Sequence, residues 1–171
     1  MKLDLNYEEQ EMMRRDLCAR LAYSPMYHYY YEFADGEGED YVDALSTFDI
    51  ANDEISGDIH TSPVSMSSIR LYLRPMTDMR EEEVDKLRDI LNSRSNAGRE
   101  LTKENFEQID CGTLWFTAMK EWECVGEEMM GIVIDYLNEH MLDWRGLIDK
   151  DLALSATKEE IEELEGNYDK R

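Results

Sequence analysis

The most regular apolar periodicity lies late in the chain, where Met130, Val133, Ile134, Leu137 and Met141 recur at helical spacing and form one stripe. It predicts the main core helix over residues 129–142. Asp143 to Ile148 follows as a turn in which Gly146 supplies conformational freedom, while Trp144, Leu147 and Ile148 supply apolar surface to bury. Near the start, Met13, Leu17 and Leu21 share a face of a helix running from Tyr7 to about Leu21, with Cys18 beside them. Asn6 is its expected cap, and Glu8, Glu9 and Glu11 stand where the positive end of the helix dipole favours them. A further helix starts at Thr77 or Asp78, buries Val84, Leu87, Ile90 and Leu91, and closes at Asn96-Ala97-Gly98. Thr157 caps a last, acidic helix through Leu164, and residues 166–171 are expected to fray.

Two-residue alternation predicts strands. In Met26 to Phe33, the side chains of Tyr27, Tyr29, Tyr31 and Phe33 point one way and those of Met26, His28, Tyr30 and Glu32 the other. Such a tyrosine row either stacks on a ligand or forms the buried face of a sheet. Asp35 to Asp40 reads as a hairpin loop, and Tyr41 to Ile50 as the returning strand. Ala51 to Ser65, rich in Asn, Asp, Gly, Ser and Pro, reads as a loop. Ile69, Leu71 and Leu73 alternate with Arg70, Tyr72 and Arg74, which predicts a strand with one buried face and a cationic outer face. Leu101 to Asp110 reads as a short helix, Thr113 to Val125 as a strand or a helix, with two-residue alternation around Trp115 favouring a fourth strand, and Leu152 to Leu154 as a short buried segment. The expected fold is therefore α+β: a single domain over residues 1–171, with a small, mainly antiparallel sheet covered on one face by helices.

Charge changes this picture more than any other property. Forty acidic residues face eighteen basic ones, for a formal charge of −22. That balance opposes direct binding to nucleic acid, which needs cations to displace condensed counterions, and favours a basic protein as partner. Apolar residues still make up 42% of the chain, enough for a folded core rather than a disordered acidic tail. No stretch reads as a leader or membrane span, and Cys18, Cys111 and Cys124 form no C-x-x-C pair, so reduced thiols in the cytoplasm are expected. Between Arg20 and Arg70 there is no Lys or Arg. Glu32, Asp35, Glu37, Glu39, Asp40, Asp43 and Asp49 in that interval are the candidate partner-binding acidic face.

Candidate chemistry is sparse. The acidic loop lacks the alternating ligands, central Gly and distal Glu of an EF-hand, so no metal site is expected. His28, His60 and His140 sit in no nucleophile-elbow pattern, and there is no Walker or G-x-G-x-x-G sequence, so no catalytic residue and no cofactor is assigned. Arg74, Asp143, Trp144 and Arg145 form the best polar cluster: together they either clamp a polar ligand or fix the turn they flank.

Three blocks carry a family resemblance. They are Asp16-Leu17-Cys18-Ala19-Arg20-Leu21 with Tyr23; Tyr72-Leu73-Arg74-Pro75-Met76 followed by Met79 and Glu81-Glu82-Glu83; and Asp135 to Ala156. Together they resemble a family of uncharacterised proteins encoded by phages and prophages of gut Bacteroidetes. The third block is similar to that family's D-W-L-N-x-H-H-F-D-Y-R-G-L-I-x-x-G-L-A-L-E-A. Here His140-Met141 replaces the His-His pair, Leu142 the Phe, Trp144 the Tyr, and Asp151 the later Gly. Loss of the second histidine argues against a metal site, while the Leu and Trp replacements keep apolar bulk. The resemblance implies a phage-type origin and no particular activity.

Two expectations follow. In the first, the chain is a non-enzymatic accessory protein in the cytoplasm of a bacterial host, binding a basic host or defence protein through its acidic surface, with or without imitation of DNA charge. In the second, it binds a small molecule or performs a minor reaction in a pocket near Arg74, Trp144 and Arg145.

Overall fold

The structure, a computed structural model, describes residues 3–32, 37–59, 62–94 and 127–168. The expected stop at Asn96-Ala97-Gly98, the short helix Leu101 to Asp110, the Trp115 strand, the loop residue Asp35, and Cys111 and Cys124 lie outside the described residues.

Helix α1 (Tyr7–Arg20) begins where the cap predicts it. The Asn6 side chain accepts from the Glu9 amide at 3.0 Å, and the Glu9 carboxylate accepts from the Asn6 amide at 2.9 Å, a reciprocal capping box. Met13 and Leu17 are buried as expected, whereas Cys18 is exposed. Strands β1 (Met26–Glu32), β2 (Gly38–Asp49), β3 (Glu54–Gly57), β4 (Val64–Ser65), β5 (Ile69–Leu73) and β6 (Ala153–Ser155) form one sheet in the order β4-β3-β2-β1-β5-β6. Every pairing is antiparallel except β5 with β6. Helices α2 (Glu81–Arg94), α3 (Glu127–Glu139) and α4 (Lys158–Tyr168) complete the described strands and α-helices. The chain thus has the α+β fold, with a mainly antiparallel sheet, that its alternating and helical segments predict.

The predicted loop Ala51 to Ser65 is corrected: it contains β3 and β4. Each offers one apolar side chain, Ile55 and Val64, too few for alternation to show, yet Ile55 is only 1% exposed and joins the core. Gly57 is required by the close approach of strands. A Cβ there would collide with the carboxylate of Asp43 and the hydroxyl of Tyr27.

Two apolar clusters hold these elements. In the first, Met13 and Leu17 of α1 and Ile161 of α4 join Tyr27, Tyr29, Ile69, Leu71 and Leu73 of the sheet. In the second, Leu87 and Leu91 of α2 meet Val133, Tyr136 and Leu137 of α3. Burying each such aliphatic side chain contributes roughly 1.5–3 kcal/mol relative to exposure. Helix α4 runs on to Tyr168, beyond the expected end at Leu164. Thr157 and Glu160 form its capping box.

The end of α3 positions everything that follows. The Leu142 amide donates to Leu137 O at 2.9 Å and the Met141 amide to Asn138 O at 3.1 Å, the paired bonds of a Schellman cap. Met141 occupies the left-handed position usually held by glycine, at φ 54°, and its buried side chain offsets that strain by packing. Gly146, at φ 70°, turns the following loop as predicted. Asp151 sits at φ 57°, the position where the resembled block has glycine. Among the described residues no helix is long and apolar enough to cross a membrane.

Candidate functional site

The predicted polar cluster gathers around the C-terminal turn of α3, and the geometry assigns it structural work. Arg74 leaves β5 and is bridged to the loop after α3: its amide donates to Met141 O and its carbonyl accepts from the Asp143 amide, each at 2.8 Å. This reverses the predicted outward face, because Arg74 is only 2% exposed. All five of its guanidinium N–H groups have partners. Nε donates to Asp78 Oδ2 at 2.8 Å, Nη1 to Glu83 Oε1 at 3.0 Å and His140 O at 3.3 Å, and Nη2 to Glu83 Oε2 and Asp78 O, each at 2.8 Å. Nothing of Arg74 is left for a ligand, which withdraws it from the expected pocket.

Lys158 at the start of α4 also reaches Glu83, at 3.0 Å, and the Arg80 amide donates to the same carboxylate at 3.0 Å. Burial pushes the Glu83 carboxyl up, but Arg74, the Arg80 amide and Lys158 outweigh it and hold the group at about 2. A folded-state value below the ordinary carboxylate range means stability that is full above about pH 5 and lost as pH falls towards 2. The shift corresponds to about 3 kcal/mol. Urea titrations are expected to show wild-type stability falling across that window, with a shallower fall in Glu83→Gln; equal slopes would contradict the assignment.

Asp143 fixes its turn. Its two carboxylate oxygens accept from the Leu147 and Ile148 amides, both at 2.8 Å. Trp144 Nε1 donates to the side-chain oxygen of the buried Asn138 at 3.0 Å. The Arg145 guanidinium stacks 4.3 Å from the centre of the Trp144 ring and stands 3.7 Å from Asp16 Oδ1. Burial lowers the Arg145 pKa, with Arg20 and Arg15 adding to that and Asp16 opposing it. Arg145 therefore faces α1, while Arg74 faces α2 and α4.

Sequence reasoning missed the partner of this arrangement, the buried pair Asp16 and Arg20. Both are fully buried, joined at 2.8 Å, and Arg20 also donates to Leu142 O at 2.8 Å and Asn138 O at 3.4 Å. The Asp-x-x-x-Arg spacing inside the first resembling block was the available signal, since residues four apart on a helix face one another. Two guanidiniums thus reach the negative end of α3, Arg20 from α1 and Arg74 from β5, and add donors to carbonyls at and just after its last turn.

The predicted acidic face divides. Strand β5 pairs with β1 only from Tyr27 to Tyr29, and β3 pairs with β2 only from Leu45 to Asp49. Among the described residues, Tyr30 to Glu32, paired with Gly38 to Asp40, is therefore a two-stranded ribbon reaching past its neighbours in the sheet. Glu37, Glu39 and Asp40 are exposed on it, as are Tyr30 (37%) and Tyr31 (47%). Glu39 accepts from the Tyr41 hydroxyl at 2.8 Å, and Asp40 lies 3.0 Å from His28 Nε2. Gly38 leaves space that the Tyr30 ring fills. The backbone of Glu32 pairs with Gly38.

Two predicted acids do not belong to this surface. Asp43 is fully buried and accepts from the Ala44 amide at 2.8 Å and the Ile59 amide at 3.3 Å. It serves the β2–β3 packing instead, because Tyr27, its β1 neighbour, brings it onto the inward face. Asp49 lies at the far end of β2, where it closes a turn by accepting from Asn52 Nδ2 at 2.8 Å and the Ala51 amide at 2.9 Å, bonds that lower its pKa. Nearby, Arg14 clasps Asp53 through Nε at 2.6 Å and Nη2 at 2.5 Å, pinning α1 to the β2–β3 turn.

Among the described residues, no group of three or more His, Cys, Asp or Glu side chains has a metal-holding arrangement. No protein-family model, curated protein or solved structure matches this chain.

Proposed function

We propose that this chain is a non-enzymatic, acidic interaction protein whose β1–β2 ribbon engages a basic protein. The carrying observation is the ribbon itself: Glu37, Glu39 and Asp40 stand exposed beside Tyr30 and Tyr31, on strands that extend past the sheet, in an interval without Lys or Arg. Carboxylates at such a tip accelerate encounter with a cationic surface. Tyrosines add large, rigid contact area and are enriched among residues that dominate binding energy. The three sequence blocks that resemble phage and prophage proteins suggest the setting, a bacterial cytoplasm in which the partner is a basic host or defence protein.

The test is affinity capture from the bacterial host at two salt concentrations, followed by titration of the purified partner. Replacing Glu37 and Glu39 by Gln and Asp40 by Asn is expected to weaken that partner about tenfold. A control with the same charge change at the exposed Glu82, Asp89 and Asp149 is expected to leave it nearly unchanged. Tyr31→Ala is expected to cost about 2 kcal/mol of binding. Displacement by duplex DNA would identify the partner's DNA-binding surface as the target, and so charge mimicry. Equal effects of the ribbon and control variants, or direct binding of duplex DNA by this chain at ordinary ionic strength, would refute the proposal.

A further inference from the structure

Helix α4 and strand β5 enclose a groove of about 350 Å³. Its apolar lining is the Tyr72 ring with Ala156 and Leu164, and its acidic rim is Glu160 and Glu163. Tyr72 shares its sheet face with His28, Asp40 and Tyr30 by register, and burial together with the Asp40 charge raises its hydroxyl pKa, so the phenol stays neutral. Arg70, two residues from Tyr72 on the same face of β5, is paired with Asp151 at 2.7 Å. The groove therefore presents an aromatic wall and an acidic rim, with Asp40 of the ribbon near enough to act on the Tyr72 hydroxyl.

We propose that this groove is a socket for one arginine side chain of the basic partner, an inference that rests on the reading of the ribbon given above. An arginine suits it on three counts. Its methylenes cover Leu164 and Ala156, its guanidinium plane stacks on Tyr72, and its forked N–H groups match the Glu163 carboxylate. A lysine fits less well because its ammonium neither stacks flat nor binds a carboxylate through two parallel bonds. Glu160 contributes charge at the rim while its carboxylate caps α4 by accepting from the Thr157 amide. An anionic or purely apolar occupant is disfavoured by the two glutamates.

The experiment uses N-acetyl-arginine methylamide as probe and its uncharged isostere, N-acetyl-citrulline methylamide, as control, followed by amide chemical shifts. Saturable shifts at Ser155, Ala156 and Asn167 with the arginine probe are expected, with a dissociation constant on the order of 1 mM. The citrulline control is expected to leave those amides in place. Glu163→Gln, at an exposed position that leaves the helix cap intact, is expected to weaken the probe about threefold to fivefold. Tyr72→Leu, which keeps the site apolar but removes the ring, is expected to weaken it further.

Matching shifts with citrulline, or arginine shifts that Glu163→Gln and Tyr72→Leu leave unchanged, would overturn the socket. If the probe fails while capture of the partner still depends on the ribbon acids, the socket alone is wrong. If the probe binds but capture ignores the ribbon acids, the ribbon reading fails and the groove remains an arginine site.

Discussion

Arg74→Met is expected to destabilise the fold by about 3–5 kcal/mol, measured by urea denaturation at neutral pH. Methionine roughly preserves the volume and the unbranched stem, so the loss reports electrostatics and hydrogen bonds rather than a cavity. Without the guanidinium, the buried Glu83 carboxylate keeps, among the described residues, only Lys158 and the Arg80 amide, and His140 O loses a donor at the end of α3. Asp78 loses its ion pair as well. Because whole domains are stable by only about 5–15 kcal/mol, such a loss approaches unfolding. Arg74→Lys is expected to recover little, since one ammonium cannot reach partners on both sides of a planar fork. Adding Glu83→Gln to Arg74→Met is expected to restore part of the loss by removing the stranded charge. A loss below about 1 kcal/mol for Arg74→Met would show that water or nearby cations replace the guanidinium, and that the network is less closed than its distances indicate.

Legibility in the sequence followed the strength of local periodicity. The Asn6 cap and the buried alternation of Ile69, Leu71 and Leu73 are patterns a short window contains, and they appear where expected, with Glu9 completing a capping box not read from the sequence. So does the turn at Gly146, because an αL backbone favours that residue. Strand β3 was hidden because one isoleucine among Glu, Ser and Gly carries no period; its place is set by pairing with β2, a contact distant in sequence. Asp43 was placed among the partner-binding acids by charge alone, although it stands two residues from both Tyr41 and Leu45 on its strand, while Arg74 misled for a reason related to that of β3. Alternation assigns a face, but whether that face meets solvent depends on what packs over it, and charged residues with complete partners can be buried. The ribbon acids were visible by composition, while their division between exposed, buried and turn-closing roles came from register. The groove required two elements that lie some ninety residues apart, Tyr72 and α4, which no local pattern joins.

The same reasoning makes Arg20→Met the second large effect, again about 3–5 kcal/mol by urea denaturation. The reason differs from that at Arg74, because Asp16 has fewer alternatives than Glu83. Arg20 is the only side chain within hydrogen-bond distance of Asp16 among the described residues; Arg145 stands at 3.7 Å, and Asp16 Oδ1 already lacks a partner. Removing Arg20 leaves a fully buried carboxylate facing one poorly placed cation, and it also takes one of two donors from Leu142 O, which keeps the Trp144 amide. Asp16→Asn in that background removes the stranded charge, so the double variant is expected to be more stable than Arg20→Met alone, with a coupling of about 1–3 kcal/mol. That coupling separates the ion pair from the helix-capping role, which Asp16→Asn leaves unrepaired. Simple additivity in the cycle would assign Arg20 to capping of α3 alone and make its carboxylate contact incidental. A coupling of the expected size makes α1 and the end of α3 one electrostatic unit, with Arg74 closing the same helix end from the sheet side.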